Sequence, residues 1–344
     1  MKFKGAIAAV IMGATFALPT VATTASVGEV NLYSYRQPFL MKPLLKAFTT
    51  ETGIKVNMVY LKSGMLTRLK AEGANSPADL VLTSHVGNLH NLVKEGLLQS
   101  VKSGKLNSVV PAHLRHPNGL WYALTSRARI IYAHKQRVKA GEVTTYDDLA
   151  KPRMKDRICS RSGKHEYNIG LLAWYIAAKG EAAAEKWIKG VKANLARKPQ
   201  GNDRAQVKAV YQGECDVAIG NTYYMGLMVT NEKEPVQKKW AASVNLIFPN
   251  QGDIGTHINI SGGGVTKSAK NRKNAIRLLE FLVSDSAQKI YAKSNFEYPV
   301  MAGAKLHPVV AGWGKFKASK VLLSEVGKHR AQASQLMDKV GYNK

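Results

Sequence analysis

Apolar and polar positions change period several times along this chain. Residues 30–34 alternate as a strand does, and 54–59 and 78–83 are short apolar runs of strand length. Between them, 39–49 and 65–72 carry apolar residues at helical spacing, with Pro38 opening the first helix and Gly53 following it. A third helix over 89–95 stops at Gly96. Strands alternating with helices predict a mostly parallel sheet covered by helices.

The pattern continues with two separate extended segments, 121–125 and 129–133, and a short helix opened by Thr145. A strand over 158–160 precedes an Ala-rich helical stretch from Ile169 to about Ala196, interrupted near Gly180. Asn202 and Asp203 cap a helix over 204–211 that ends at Gly213. A strand over 216–219, broken by Gly220-Asn221, leaves Tyr223 and Tyr224 in the loop at its C-terminal end. Strands or extended segments over 243–248, 258–260 and 262–266 follow, then helices over 271–283 and 287–293. A polar-faced helix is expected over 317–340. No internal repeat or low-complexity linker interrupts the chain. Two α/β halves, with the chain crossing between them near 123–128 and 247–252, fit this order, and the cleft between them is the expected ligand site.

The N-terminus reads as an export signal. Lys2 and Lys4 precede an apolar stretch over 5–18, and Ala22 or Ala25 closes a short region before cleavage. The apolar stretch is shorter than the roughly 20 residues that span a bilayer. Residues 1–25 are therefore expected to be removed and the protein to work in the periplasm.

Charge changes the picture less than its size suggests. The formal net charge is +27, and removing Lys2 and Lys4 leaves +25. The cations are scattered along helices rather than clustered, and no nucleic-acid-binding motif is present, so a solvated surface or attraction to anionic partners is expected in place of nucleic acid. Two cysteines, Cys159 and Cys215, lie at predicted strands; an even count in an exported chain favours a bridge over two buried thiols.

The candidate chemistry centres on tyrosine. Open α/β sheets place ligands beyond the C-terminal ends of their strands, which is where Tyr223 and Tyr224 fall. Phenolate oxygens are hard donors suited to a hard cation such as Fe³⁺. A Tyr-Tyr pair is otherwise packing or an aromatic clamp for an organic solute. His113 and His116 lie between Pro111 and Pro117, where no helix would align their rings. Gly262-Gly-Gly264 lacks the Lys-Ser/Thr of a phosphate loop and suits tight backbone packing. No nucleophile elbow, zinc-protease motif or acid pair is visible, so no enzymatic activity is expected.

Several segments together carry a resemblance: Asn31-Leu-Tyr-Ser34 followed by Arg36, Glu72 to Asp79, Thr125 to Arg129, Arg157 to Ser162 leading to Tyr167-Asn168, and Gly201-Asn-Asp203 with Asn221-Thr-Tyr-Tyr224. Over nearly its whole mature length the chain resembles the periplasmic ferric-ion-binding proteins of ABC importers. The resemblance implies a two-lobed periplasmic-binding-protein fold of type II, with a mixed sheet in each lobe and a two-strand hinge. The expected lobes are residues 26–126 with 250–301, and 127–249 with 302–344. It implies Tyr167, Tyr223 and Tyr224 as tyrosinate ligands and Arg127 as holder of a synergistic anion such as carbonate, with Arg129 as the near alternative. Gln37-Pro38 stands where many members carry a His-Tyr pair, so Tyr35 or Gln37, or the anion and water, would complete the shell. The implied partners are ferric iron and a membrane permease, with the receptor a monomer. The same fold binding an organic solute or oxyanion is the alternative.

Overall fold

The structure, a computed structural model, describes Met1 and residues 28–344. The expected signal lies outside the described residues. Nine strands are present among these residues: β1 (Glu29–Ser34), β2 (Lys55–Tyr60), β3 (Leu80–Thr83), β4 (Tyr122–His134), β5 (Ile158–Cys159), β6 (Val217–Asn221), β7 (Val244–Ile247), β8 (Ile258–Val265) and β9 (Tyr298–Pro299). Their order is β2-β1-β3-β8-β4-β6-β5, with β7 and β9 also on β4. β1 is parallel to β2 and β3, and β5 to β6, whereas the pairings of β8 with β3 and of β4 with its neighbours are antiparallel. The sheet is thus mixed, as the resemblance implies. Five of its eight pairings are antiparallel, which corrects the mostly parallel sheet expected from the strand and helix alternation, because β4 and β8 run against every strand they pair with.

One strand joins the two halves. β4 pairs with β8 from Tyr122 to Ala128 and with β6 from Arg129 to Ala133. The two extended segments expected around residues 121–133 are therefore a single strand. Ser126 and Arg127, whose polarity reads as a break, are buried within it, because β4 lies between both sets of strands. Gly262, Gly263 and Gly264 lie in β8 between β3 and β4, where an added Cβ would meet the backbone oxygens of Tyr122, Val81 and Leu120 at 2.7, 2.7 and 2.5 Å. They permit the close approach of backbones that the sequence suggested.

Two further expectations are corrected. The break expected at Gly220-Asn221 is absent, since β6 runs through Asn221 and a helix, Thr222–Val229, starts at once. Gly220 is needed because its Cβ would lie 2.3 Å from the Tyr132 ring, not because the strand turns there. The polar helix expected over 317–340 is two short helices, Leu323–Lys328 and Arg330–Lys339, preceded by a segment in which Ala318 bridges to Thr256. The Asn202 cap and the left-handed Gly213 terminus are present as read, with the Ala205 amide donating to Asn202 Oδ1 at 3.1 Å. Cys159 and Cys215 form a disulfide that ties β5 to the start of β6.

Candidate metal and anion site

Two helix starts bring the three tyrosines together. Tyr167 is the second residue of the helix Glu166–Lys179, and Tyr223 and Tyr224 are the second and third of Thr222–Val229. The hydroxyls of Tyr167 and Tyr223 are 2.9 Å apart, and the rings of Tyr223 and Tyr224 are 4.3 Å apart between centroids.

A buried ion cluster holds this arrangement. Asp203, fully buried, accepts from Arg129 Nη1 at 2.7 Å, from Arg161 Nη1 at 2.9 Å and from the Asn221 amide at 2.8 Å. Both guanidiniums also lie over the Tyr167 ring, at 5.6 and 5.1 Å. Arg129 donates further to Asn168 Oδ1 at 2.7 Å. Arg129, expected as the alternative anion holder, therefore spends both Nη atoms on Asp203 and its neighbours; its Nε has no partner, and it lies behind the tyrosine cavity, in a small adjoining space with Arg127 and Tyr167. Asp203 instead braces the residue two before Tyr223.

The tyrosines face a cavity of about 320 Å³. Arg127 reaches its wall from β4, and Tyr35, Arg36, Gln37 and Glu297 line the same cavity. The Tyr35 hydroxyl accepts from the Met65 amide at 2.7 Å, and the Gln37 side chain caps no helix amide. Arg127 donates from Nη2 to the Ser84 carbonyl, yet its Nε and Nη1 are buried without a partner. Arg36 is held by Glu297 at 3.4 Å and leaves its Nε unpartnered. A buried donor without an acceptor is costly, and two guanidiniums with free donors at one cavity fit an anion. All the residues expected at the site except Arg129 thus meet around one space. Glu297 and Arg36 were not anticipated as site residues. Arg36 adjoins Gln37, so position signalled it, but nothing local marks Glu297, 261 residues away.

Tyr223 and Tyr224 are held neutral. Burial pushes Tyr223 well above the ordinary phenol value, and the neighbouring Tyr167, Tyr224 and Asp203 add to the shift while Arg127 opposes it. Burial likewise raises Tyr224, with Tyr167 and Asp203 contributing. A trivalent cation is the kind of charge that reverses such shifts. Among the described residues no group of three or more His, Cys, Asp and Glu side chains is placed to hold a metal. His116 accepts from the Asn118 amide at 3.1 Å in an exposed turn and does not pair with His113.

His85 fixes the Tyr167 helix from across the cleft. Its Nδ1 accepts from the Gly87 amide at 2.8 Å, so Nε2 carries the proton and donates to the Glu166 carbonyl at 3.2 Å. Burial, with Arg330 and Arg127 nearby, keeps this ring's value well below that of a free imidazole.

The profile of the bacterial extracellular solute-binding proteins matches residues 75–317. The chain belongs to that family. It is 45 % identical over 325 residues to iron uptake protein A1 of Synechocystis, covering 94 % of this chain and 90 % of the relative. Among solved structures it is similar to the Bordetella ferric binding protein, with TM-score 0.87, 47 % identity and coverage of 92 % and 100 % of the two chains. It is also similar to a Trichodesmium protein solved in complex with iron and citrate ligands, with TM-score 0.89, 43 % identity and the same coverages. The fold of this solute-binding protein is accordingly two-lobed.

Proposed function

We propose that this protein is an exported receptor that captures ferric iron in the cleft between its lobes and delivers it to an ABC permease in the membrane. The observation that carries the reading is the convergence of Tyr167, Tyr223 and Tyr224 on one cavity, two of their oxygens 2.9 Å apart. Three phenolates balance the charge of Fe³⁺, and divalent ions supply less field to ionise them. Carbonate or another small anion fills the space beside the ion, held by Arg127 and Arg36. Tyr35 and Gln37, which line the same cavity, are the further donors. Similarity to an iron uptake protein and to a ferric binding protein supports the same cargo.

The lobes we assign are residues 26–126 with 250–301, and 127–249 with 302–344. Ligands distributed on both sides of a cleft favour closure by hinge motion about β4 and the returning segment before β8. The receptor acts as a monomer and carries out no catalysis.

Adding ferric iron to the purified protein is expected to produce a visible phenolate-to-iron charge-transfer band. Tyr223→Phe combined with Tyr224→Phe removes the band and tight binding; retained affinity in that double variant refutes the assignment. The second reading, an organic solute without iron, is favoured by Gln37-Pro38 and by Phe39 and Leu227, exposed apolar residues at the cavity rim. Calorimetry with a panel of small acids and amines in iron-free buffer separates the two.

A further inference from the structure

Three helices, Pro38–Thr52, Arg272–Leu282 and Asp285–Ser294, pack against one another beside β1, β2 and β8. Their inner sides are apolar, with Leu44 and Phe48, Leu278 and Leu279, and Ala287 and Tyr291 buried. Their outer sides carry like charges one turn apart: Lys42 and Lys46, Lys273 and Arg277, Lys289 and Lys293, all exposed. Cations four residues apart on a helix repel, so each pair weakens its own helix. Acidic neighbours relieve little of this. Among the described residues Lys289 is matched by Asp285, whereas Lys42, Lys46, Lys273, Arg277 and Lys293 have no ion pair. On the helix Glu181–Ala193, by contrast, Glu185 takes both Lys189 and Lys339. Folding stability does not explain the repeated pattern.

The face also has a definite place. Phe39, 66 % exposed at the start of the first helix, and Ser294, at the end of the third, both line the tyrosine cavity. The cationic surface therefore adjoins the cleft mouth. Beside it, Lys289, Lys293, Lys305 and His307 edge a groove of about 480 Å³ that includes Ala292, Leu306 and Pro308.

We propose that this face docks on an anionic lipid surface, so that the receptor rests with its cleft mouth toward the bilayer. The charges are spread over three helices, and all but Arg277 stand on long, flexible lysine stems without a fork, which suits mobile phosphate headgroups better than a fixed acidic pattern on a protein. The groove, cationic at its edge and partly apolar within, suits a headgroup with the glycerol and first methylenes below it. The proposal rests on the receptor reading only for the benefit of facing a permease; lipid binding itself requires no iron.

The test is co-sedimentation of the whole protein with vesicles of phosphatidylglycerol and phosphatidylcholine, against phosphatidylcholine alone. Binding to the anionic vesicles is expected, with release as salt shortens the screening length from about 10 Å at 0.1 M to about 3 Å at 1 M. Lys42→Glu, Lys46→Glu, Lys273→Glu and Lys293→Glu together are expected to lower partitioning by more than about tenfold. Lys186→Glu, Lys198→Glu, Lys233→Glu and Lys239→Glu, an equal change of charge elsewhere, leave most of it. A milder set, Lys42→Gln, Lys46→Gln and Lys293→Gln, gives the same ranking if the first variant does not fold. The ferric band is unchanged in all of them, which separates this outcome from the fate of the iron reading. Equal loss in both glutamate variants, no preference for anionic vesicles, or binding that appears only when the vesicles contain the permease overturns the proposal.

Discussion

With the tyrosine ligands we propose, ferric loading at neutral pH must expel protons, and their number is set by the site. Tyr223 and Tyr224 are both raised from the ordinary phenol value of about 10, so each enters the reaction protonated. The 2.9 Å contact between Tyr167 and Tyr223 also requires a proton on at least one of the two oxygens. Iron binds the ionised oxygens, so each coordinated phenol releases one proton and affinity falls as pH falls. The sign follows from the direction of the shifts. Groups raised above about 10 do not titrate by themselves between about pH 5 and 9, so the dependence has no plateau there. One phenol changes the affinity tenfold per pH unit, about 1.4 kcal/mol; three change it about a thousandfold, about 4 kcal/mol. The assay is calorimetric titration with ferric nitrilotriacetate in buffers of different ionisation enthalpy, corrected for proton uptake by the chelator. The slope counts protons: at least two are expected, three with Tyr167 coordinated, and one fewer in Tyr223→Phe. A count below two, or one unchanged in Tyr223→Phe, refutes phenolate ligation.

Asp203→Asn leaves Arg129 and Arg161 buried without their counter-charge, and a loss of about 3–5 kcal/mol in denaturant unfolding is expected, whereas a loss under about 1 kcal/mol contradicts the role given to Asp203. Cys159→Ala with Cys215→Ala opens a loop of sequence separation 56, for which chain entropy predicts a loss of about 4 kcal/mol. The ferric band should survive that change, because neither sulfur lines the cavity. Arg127→Met removes two unpartnered donors, and iron affinity in bicarbonate buffer should fall about 10- to 100-fold. In carbonate-free buffer the variant and the parent should converge; an equal deficit in both buffers would show that Arg127 does not act through the anion.

What could be read from the chain was local. The period of apolar residues placed most elements, because strand and helix geometry repeat within two to four residues. Asn202 and Gly213 marked a helix because a cap needs only its own turn. Where context intervened, the reading slipped. Gly220 looks like a breaker, yet it continues β6 because the Tyr132 ring occupies the space of its Cβ. Ser126 and Arg127 look like a gap, yet they are the buried middle of the strand that joins both halves. Residues 127 and 129 share a face in an extended segment, and alternation cannot separate their roles.

The sequence by itself determined that this is an α/β chain carrying paired phenols after a strand, with two cysteines at neighbouring strands. Those features depend on residue type and short spacing. Only the tertiary structure decided that Arg129 turns to Asp203 while Arg127 keeps free donors at the cavity, and that Arg36 and Glu297 join its lining. Such choices depend on which charges packing buries together across 74 and 261 residues of chain. Local periodicity carries no record of that, because the energy of a buried charge depends on whatever the fold brings beside it.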